Sequence, residues 1–126
     1  MESWQEFEAR AREAIGKKFR AKCVKKVGLR ITGGGNHEFD IYAKGKAIGG
    51  ATTAKYRNRS GSSNTAGRDR ALAEILWLSL SPGLEKRVLV ARDRELACWL
   101  ATTGVGKPYK VEVFWLNARN RLVECR

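Results

Sequence analysis

The stretch HEFDIYAKGKAIGGATTAKYRNR, His37 to Arg59, decides how the chain is read. Phe39 and Ile41 alternate with Glu38, Asp40 and Tyr42, the two-residue period of a strand with distinct faces. Lys44-Gly45-Lys46 supplies a tight turn. Ala47 to Ala54 is small, Gly-rich and Thr-rich and reads as the returning strand, and a basic loop starts at Lys55. The strand period puts Glu38 and Asp40 on one face. They are the only acids between Glu13 and Asp69, a span that carries 13 Lys or Arg.

Downstream, Tyr56 to Gly67 is polar and Gly/Ser-rich, which predicts a mobile loop. Thr65 or Asn64 can cap a helix over about 66–80, with Ala71, Leu72, Ile75, Leu76 and Leu80 inward and Trp77 and Leu78 widening the stripe. Pro82-Gly83 stops it. Arg87 to Ala91 reads as an interior strand. Asp93 caps a helix to about Thr102, Tyr109 to Leu116 is a further strand, and Leu122 to Cys125 returns as a short edge.

Upstream, Ser3-x-x-Glu6 is a capping box that opens a helix to about Lys22. Trp4, Phe7, Ala11, Ala14, Ile15 and Phe19 form its apolar stripe, and Glu8 with Arg12 and Glu13 with Lys17 stand four apart. A short strand around Leu29-Arg30-Ile31 and the turn Gly33-Gly34-Gly35-Asn36 lead into the hairpin. The order predicts one α/β domain over residues 1–126, a mixed sheet of four to six strands flanked by three helices. The strand-helix-strand unit at 87–116 favours parallel pairing.

A net charge of +12 suits a polyanion, most simply nucleic acid. No run approaches the roughly 20 apolar residues of a membrane span, and no helix joins a basic face to a strong exposed apolar one. Cys23, Cys98 and Cys125 are odd in number and widely spaced, which predicts reduced thiols in a cytoplasmic protein. With one His and no CxxC there is no zinc set.

Phosphate contacts are expected from Arg57 and Arg59 in the loop and from Arg68 and Arg70 at the next helix start, where free N–H groups already favour anions. A second basic strip runs from Lys17 to Arg30 and includes Lys18, Lys25 and Lys26. The four Trp lie on apolar stripes and are expected in the core. Tyr56, beside the basic loop, is the aromatic placed for base stacking. His37, at the start of a strand, reads as a surface or turn residue.

Helix, hairpin, helix and strand, with Asp40 in the first hairpin strand, resembles the PD-(D/E)XK nuclease superfamily over roughly residues 4–116. The resemblance implies a restriction-endonuclease-like fold and a metal-dependent endonuclease. In that family the first-strand acid and an acid-x-Lys motif on the second strand hold Mg²⁺ (or Mn²⁺) and activate water, and a first-helix Glu sometimes helps. Carried over, this makes Asp40 the metal ligand, with Lys55 and Glu13 as further catalytic residues. Thr53 stands where the motif has its acid when Thr53-Ala54-Lys55 is aligned, the register that keeps the lysine; the other register offers Ala51-Thr52-Thr53.

A weaker resemblance, over the helix, three strands and basic second helix, is to double-stranded-RNA-binding domains. It implies a non-catalytic binding module and leaves 84–126 unexplained. A basic structural protein bound to an acidic partner suits the charge equally. DNA is expected ahead of RNA. An apolar edge at Tyr109 to Leu116 would support a homodimer.

Overall fold

A computed structural model describes residues 1–25 and 27–125. Helix α1 spans Trp4–Phe19. The Ser3 hydroxyl accepts from the Glu6 N–H at 3.1 Å and the Glu6 carboxylate accepts from the Ser3 N–H at 3.3 Å, closing the capping box. The helix stops at Arg20, which turns left-handed at φ 52°.

Strands β1 (Val27–Arg30) and β2 (Asn36–Phe39) form a separate antiparallel pair. Gly33, Gly34 and Gly35 join them at φ near +90°, a conformation that side chains avoid. Strands β3 (Ile41–Ala43) and β4 (Ala47–Thr52) form the hairpin. Helix α2 (Thr65–Ser79) leads to β5 (Lys86–Ala91), then α3 (Arg94–Thr103), a short 3-10 turn, β6 (Val111–Leu116) and β7 (Leu122–Glu124). The main sheet runs β3-β4-β5-β6-β7, parallel across β4, β5 and β6 and antiparallel at both ends. The expected mixed α/β sheet with three helices is present.

Helices cover both faces of this sheet, and residues of β5 alternate between them. Val88 and Val90 pack with Phe7, Ala11 and Ile15 of α1; Leu89 packs with Ile75 and Leu78 of α2 and Leu96 and Leu100 of α3. Burial on both faces explains why Ala47 to Gly50 and Val88 to Ala91 are buried without interruption. At Gly49 an added methyl would stand 2.7 Å from the Val88 carbonyl oxygen, so the small residues of β4 let it lie close to β5.

Four readings are corrected. The strand from His37 to Tyr42 is not continuous, because the chain bends at Asp40 and changes ladders. Phe39 therefore packs with α2 and α3 while Ile41 packs with α1, although period two puts them on one face. Cys98, at the middle of α3, is joined to Cys125 in a disulfide, so the thiols are not all reduced; Cys23 is free. The bridge closes because α3 packs along β6 and β7 returns beside it, leaving the two Cα atoms 5.0 Å apart. The stretch at 109–116 is not an open edge, since β6 is paired by β5 and β7. Trp4 is 48% exposed, not core: the buried positions of α1 begin one turn later, at Phe7.

Residues 86–124 supply three of the five strands of the main sheet, which a three-strand double-stranded-RNA-binding architecture does not account for.

Candidate nucleic-acid interface

Strand β4 ends at Thr52 and its chain runs on as 53–64, a segment bonded to itself and to α3. The Asp93 carboxylate caps α3 by accepting from the Leu96 N–H, and its Oδ2 also accepts from the Tyr56 N–H at 2.9 Å. Asn64 caps α2 by accepting from the Gly67 N–H and donates to the Lys55 carbonyl at 2.9 Å. Asn58 N–H donates to Ser62 O, and Asn64 N–H to Tyr56 O. The loop predicted mobile from its composition is thus a small braced arch.

Under this arch lies a hollow of about 800 Å³. Lys55, Arg57, Arg59 and Arg70 line it, from the arch and from the second turn of α2. Arg57 is held by Glu95 at 3.0 Å and by the Gly61 carbonyl. Among the described residues the side chains of Arg59 and Arg70, both exposed, form no hydrogen bond or ion pair. The first turn of α2 carries no acid, so its N–H groups add positive potential to the same side. Two carboxylates, Glu8 and Glu74, also line the hollow. Glu8 is nearly buried and stands 3.8 Å from Arg12.

Glu74 is the unusual group. Burial, then the charges of Asp40 and Glu8, raise its pKa from 4.5 to about 7. Gly50 makes room for it, because a methyl there would stand 2.7 Å from the Glu74 carboxylate. At neutral pH this acid is half protonated and opposes the surrounding cations only in part.

The expected site residues separate. Asp40 sits at the bend behind the hollow; its Oδ2 accepts from the Ala51 N–H at 3.1 Å and its carbonyl accepts from Arg12. Lys55 lines the hollow, whereas exposed Glu13 pairs with Lys17 at 3.4 Å and borders a different depression near the end of α1. Asp40, Lys55 and Glu13 are therefore not brought together. Arg68 stands 3.9 Å over the Tyr56 ring and 5.3 Å from Trp99, with its Nε buried, and acts as packing behind the arch. Its guanidinium covers Tyr56, the ring expected to stack on bases. Lys18 lies over the Phe114 ring and Lys25 is exposed beyond α1. Lys26 lies outside the described residues.

His37 stacks on Trp77, ring centroids 4.5 Å apart and planes 11° from parallel. Burial lowers its pKa below 6.5, against the pull of Asp40 and Glu38, so it is a neutral packing residue at pH 7.

The sequence reading missed Glu8, Glu74 and the two Trp of the hollow, Trp4 and Trp77. Glu74 left a signal: it is the one charge in the otherwise apolar run from Ala71 to Leu78.

The donor set does not fit a Mg²⁺ or Mn²⁺ centre. A hard cation needs several oxygen ligands converging on one point. Among the described residues no three His, Cys, Asp or Glu side chains form such a group. The chain matches no protein-family model, no curated protein and no solved structure.

Proposed function

We propose that this protein binds nucleic acid, DNA ahead of RNA, by seating the sugar-phosphate backbone in the hollow under the 53–64 arch. One observation carries the reading. Lys55, Arg59 and Arg70 line it together, opposed among the described residues that line it by Glu8, which has Arg12 beside it, and by a partly neutralised Glu74. Cations held on a braced surface suit a ligand that carries charge at regular intervals. The nuclease-like assignment belongs to the same proposal. It is supported by the order helix, hairpin, helix, strand and by Asp40 at the head of the hairpin.

The test is the salt dependence of binding to a labelled DNA. If about six phosphates are neutralised, log K falls against log salt with a slope near −5. A flat dependence would exclude the backbone-seating mode.

Cutting is a separate matter, and no step is derived through a metal. With Mg²⁺ or Mn²⁺ present, plasmid is expected to stay intact while it is bound. Nicking that disappears in Asp40→Ala would overturn this binding-only reading.

Among the described residues no helix is long and apolar enough to cross a membrane. We keep the cytoplasm as the proposed setting, although the Cys98–Cys125 bridge removes two of the reduced thiols that suggested it. Neither cysteine lines the hollow, so the binding proposal does not depend on their redox state.

A further inference from the structure

Two tryptophans border the cationic hollow. Trp4 occupies the first turn of α1 and is 48% exposed. It lies between Ser3 and Glu6, the two residues of the capping box. Just before it, Glu2 pairs with Arg10 of α1, and the Glu2 carbonyl accepts from Arg92 at the end of β5 at 3.1 Å. Trp77 reaches the hollow from α2, with its ring stacked on His37. Two large aromatics beside three cations of one hollow have an evident use in a nucleic-acid site. Cations take phosphates, and an indole face takes a base.

We infer that the hollow receives an unpaired nucleobase against Trp4, so that the preferred ligand is single-stranded or locally opened nucleic acid. This rests on the binding reading above and narrows it. A base inside a duplex is stacked on its neighbours and cannot reach an indole set in a hollow. A splayed base can, while its flanking phosphates meet Arg59 and Arg70. Because the capping box already orders the first turn of α1, the backbone that carries the indole need not reorganise when a base stacks on it. Thr53 and Asn58 also line the hollow and add polar groups to its wall.

The test compares three fluorescein-labelled probes at low salt: an oligo-dT of about twelve nucleotides, an abasic strand of the same length, and a duplex. Trp4→Ala is expected to weaken oligo-dT binding about tenfold and to leave the abasic strand and the duplex unchanged. Trp4→Phe, which keeps an aromatic face and the helix start, should recover most of the loss. In the wild type, oligo-dT should quench tryptophan emission more than the abasic strand does, and Trp4→Phe should lose that difference. The last readout uses a conservative variant, so it stands even if Trp4→Ala perturbs folding. An equal loss on the abasic strand, or no loss on oligo-dT, would overturn the inference and leave backbone binding intact. If the wild type ignores all three probes, the binding reading itself fails and this inference goes with it.

Discussion

Arg59→Glu combined with Arg70→Glu is expected to lower DNA affinity at least about 100-fold at 0.1 M salt and to leave the fold unchanged. Each backbone contact contributes a salt slope of about 0.9, which is roughly eightfold in affinity at 0.1 M. Losing two contacts gives roughly 60-fold, and reversing the charges adds repulsion. The salt slope should fall by about 2 in the same variant. Both arginines are exposed and their side chains make no hydrogen bond or ion pair among the described residues, so thermal unfolding should stay near the wild-type value. Arg57 is a poorer choice, because reversing it would set a carboxylate against Glu95 and loosen the arch. Unchanged affinity in the double variant would remove the hollow from the footprint.

Glu74→Gln is expected to stabilise the protein at pH 8 by up to about 3 kcal/mol and to have little effect at pH 4. The folded pKa of about 7 lies above the ordinary 4.5. Below 4.5 the carboxyl is neutral in both states and costs nothing. Between 4.5 and about 7 the unfolded chain releases the proton and the folded chain retains it, so stability falls as pH rises. Above 7 the penalty is constant. The figure is an upper bound, because the carboxyl faces an open hollow and water screens it. The same substitution should tighten DNA binding at pH 8 and make affinity flat from pH 6.5 to 8. Wild-type affinity should weaken across that window as Glu74 ionises among the cations. His37 titrates lower, so it does not mimic this change. Denaturant midpoints and binding titrations at the two pH values check both halves. A variant no more stable than wild type at pH 8 would contradict the burial of an acid at this position.

How much of this was legible in the sequence depends on how local the cause is. Helix starts were legible, since Ser3 with Glu6, Asn64 and Asp93 cap within four residues. The strand-helix-strand unit at 87–116 was legible for the same reason, because a β-branched run, a cap and a second run follow one another. The break at Asp40 was not legible. The two-residue period assumes one ladder, and here the chain leaves β1 for β4 in mid-strand, a choice made by partners far along the chain. The Cys98–Cys125 bridge depends on β7 returning beside β6, which puts residues 27 apart in sequence next to each other.

The site was legible as a charge and not as a constellation. A basic loop ahead of a capped helix gave Arg57, Arg59, Arg68 and Arg70, of which Arg68 packs on Tyr56 instead; Lys55 was implied only by the nuclease resemblance. The residues that shape the hollow from beneath were hidden. Glu74 looks like one more helix acid until Gly50 and the charges of Asp40 and Glu8 are placed around it. Glu8 looks like half of an i, i+4 pair, which it also is. Trp4 continues an apolar stripe, and periodicity alone cannot tell where the covering sheet stops.

The most direct measurement is amide hydrogen exchange of the intact protein with and without oligo-dT at low salt. New protection is expected over residues 53–70 and at the first turn of α1, with residues 107–112 and β7 unchanged. Protection confined to the lysines at 107–112, or none anywhere while the DNA is bound, would contradict it.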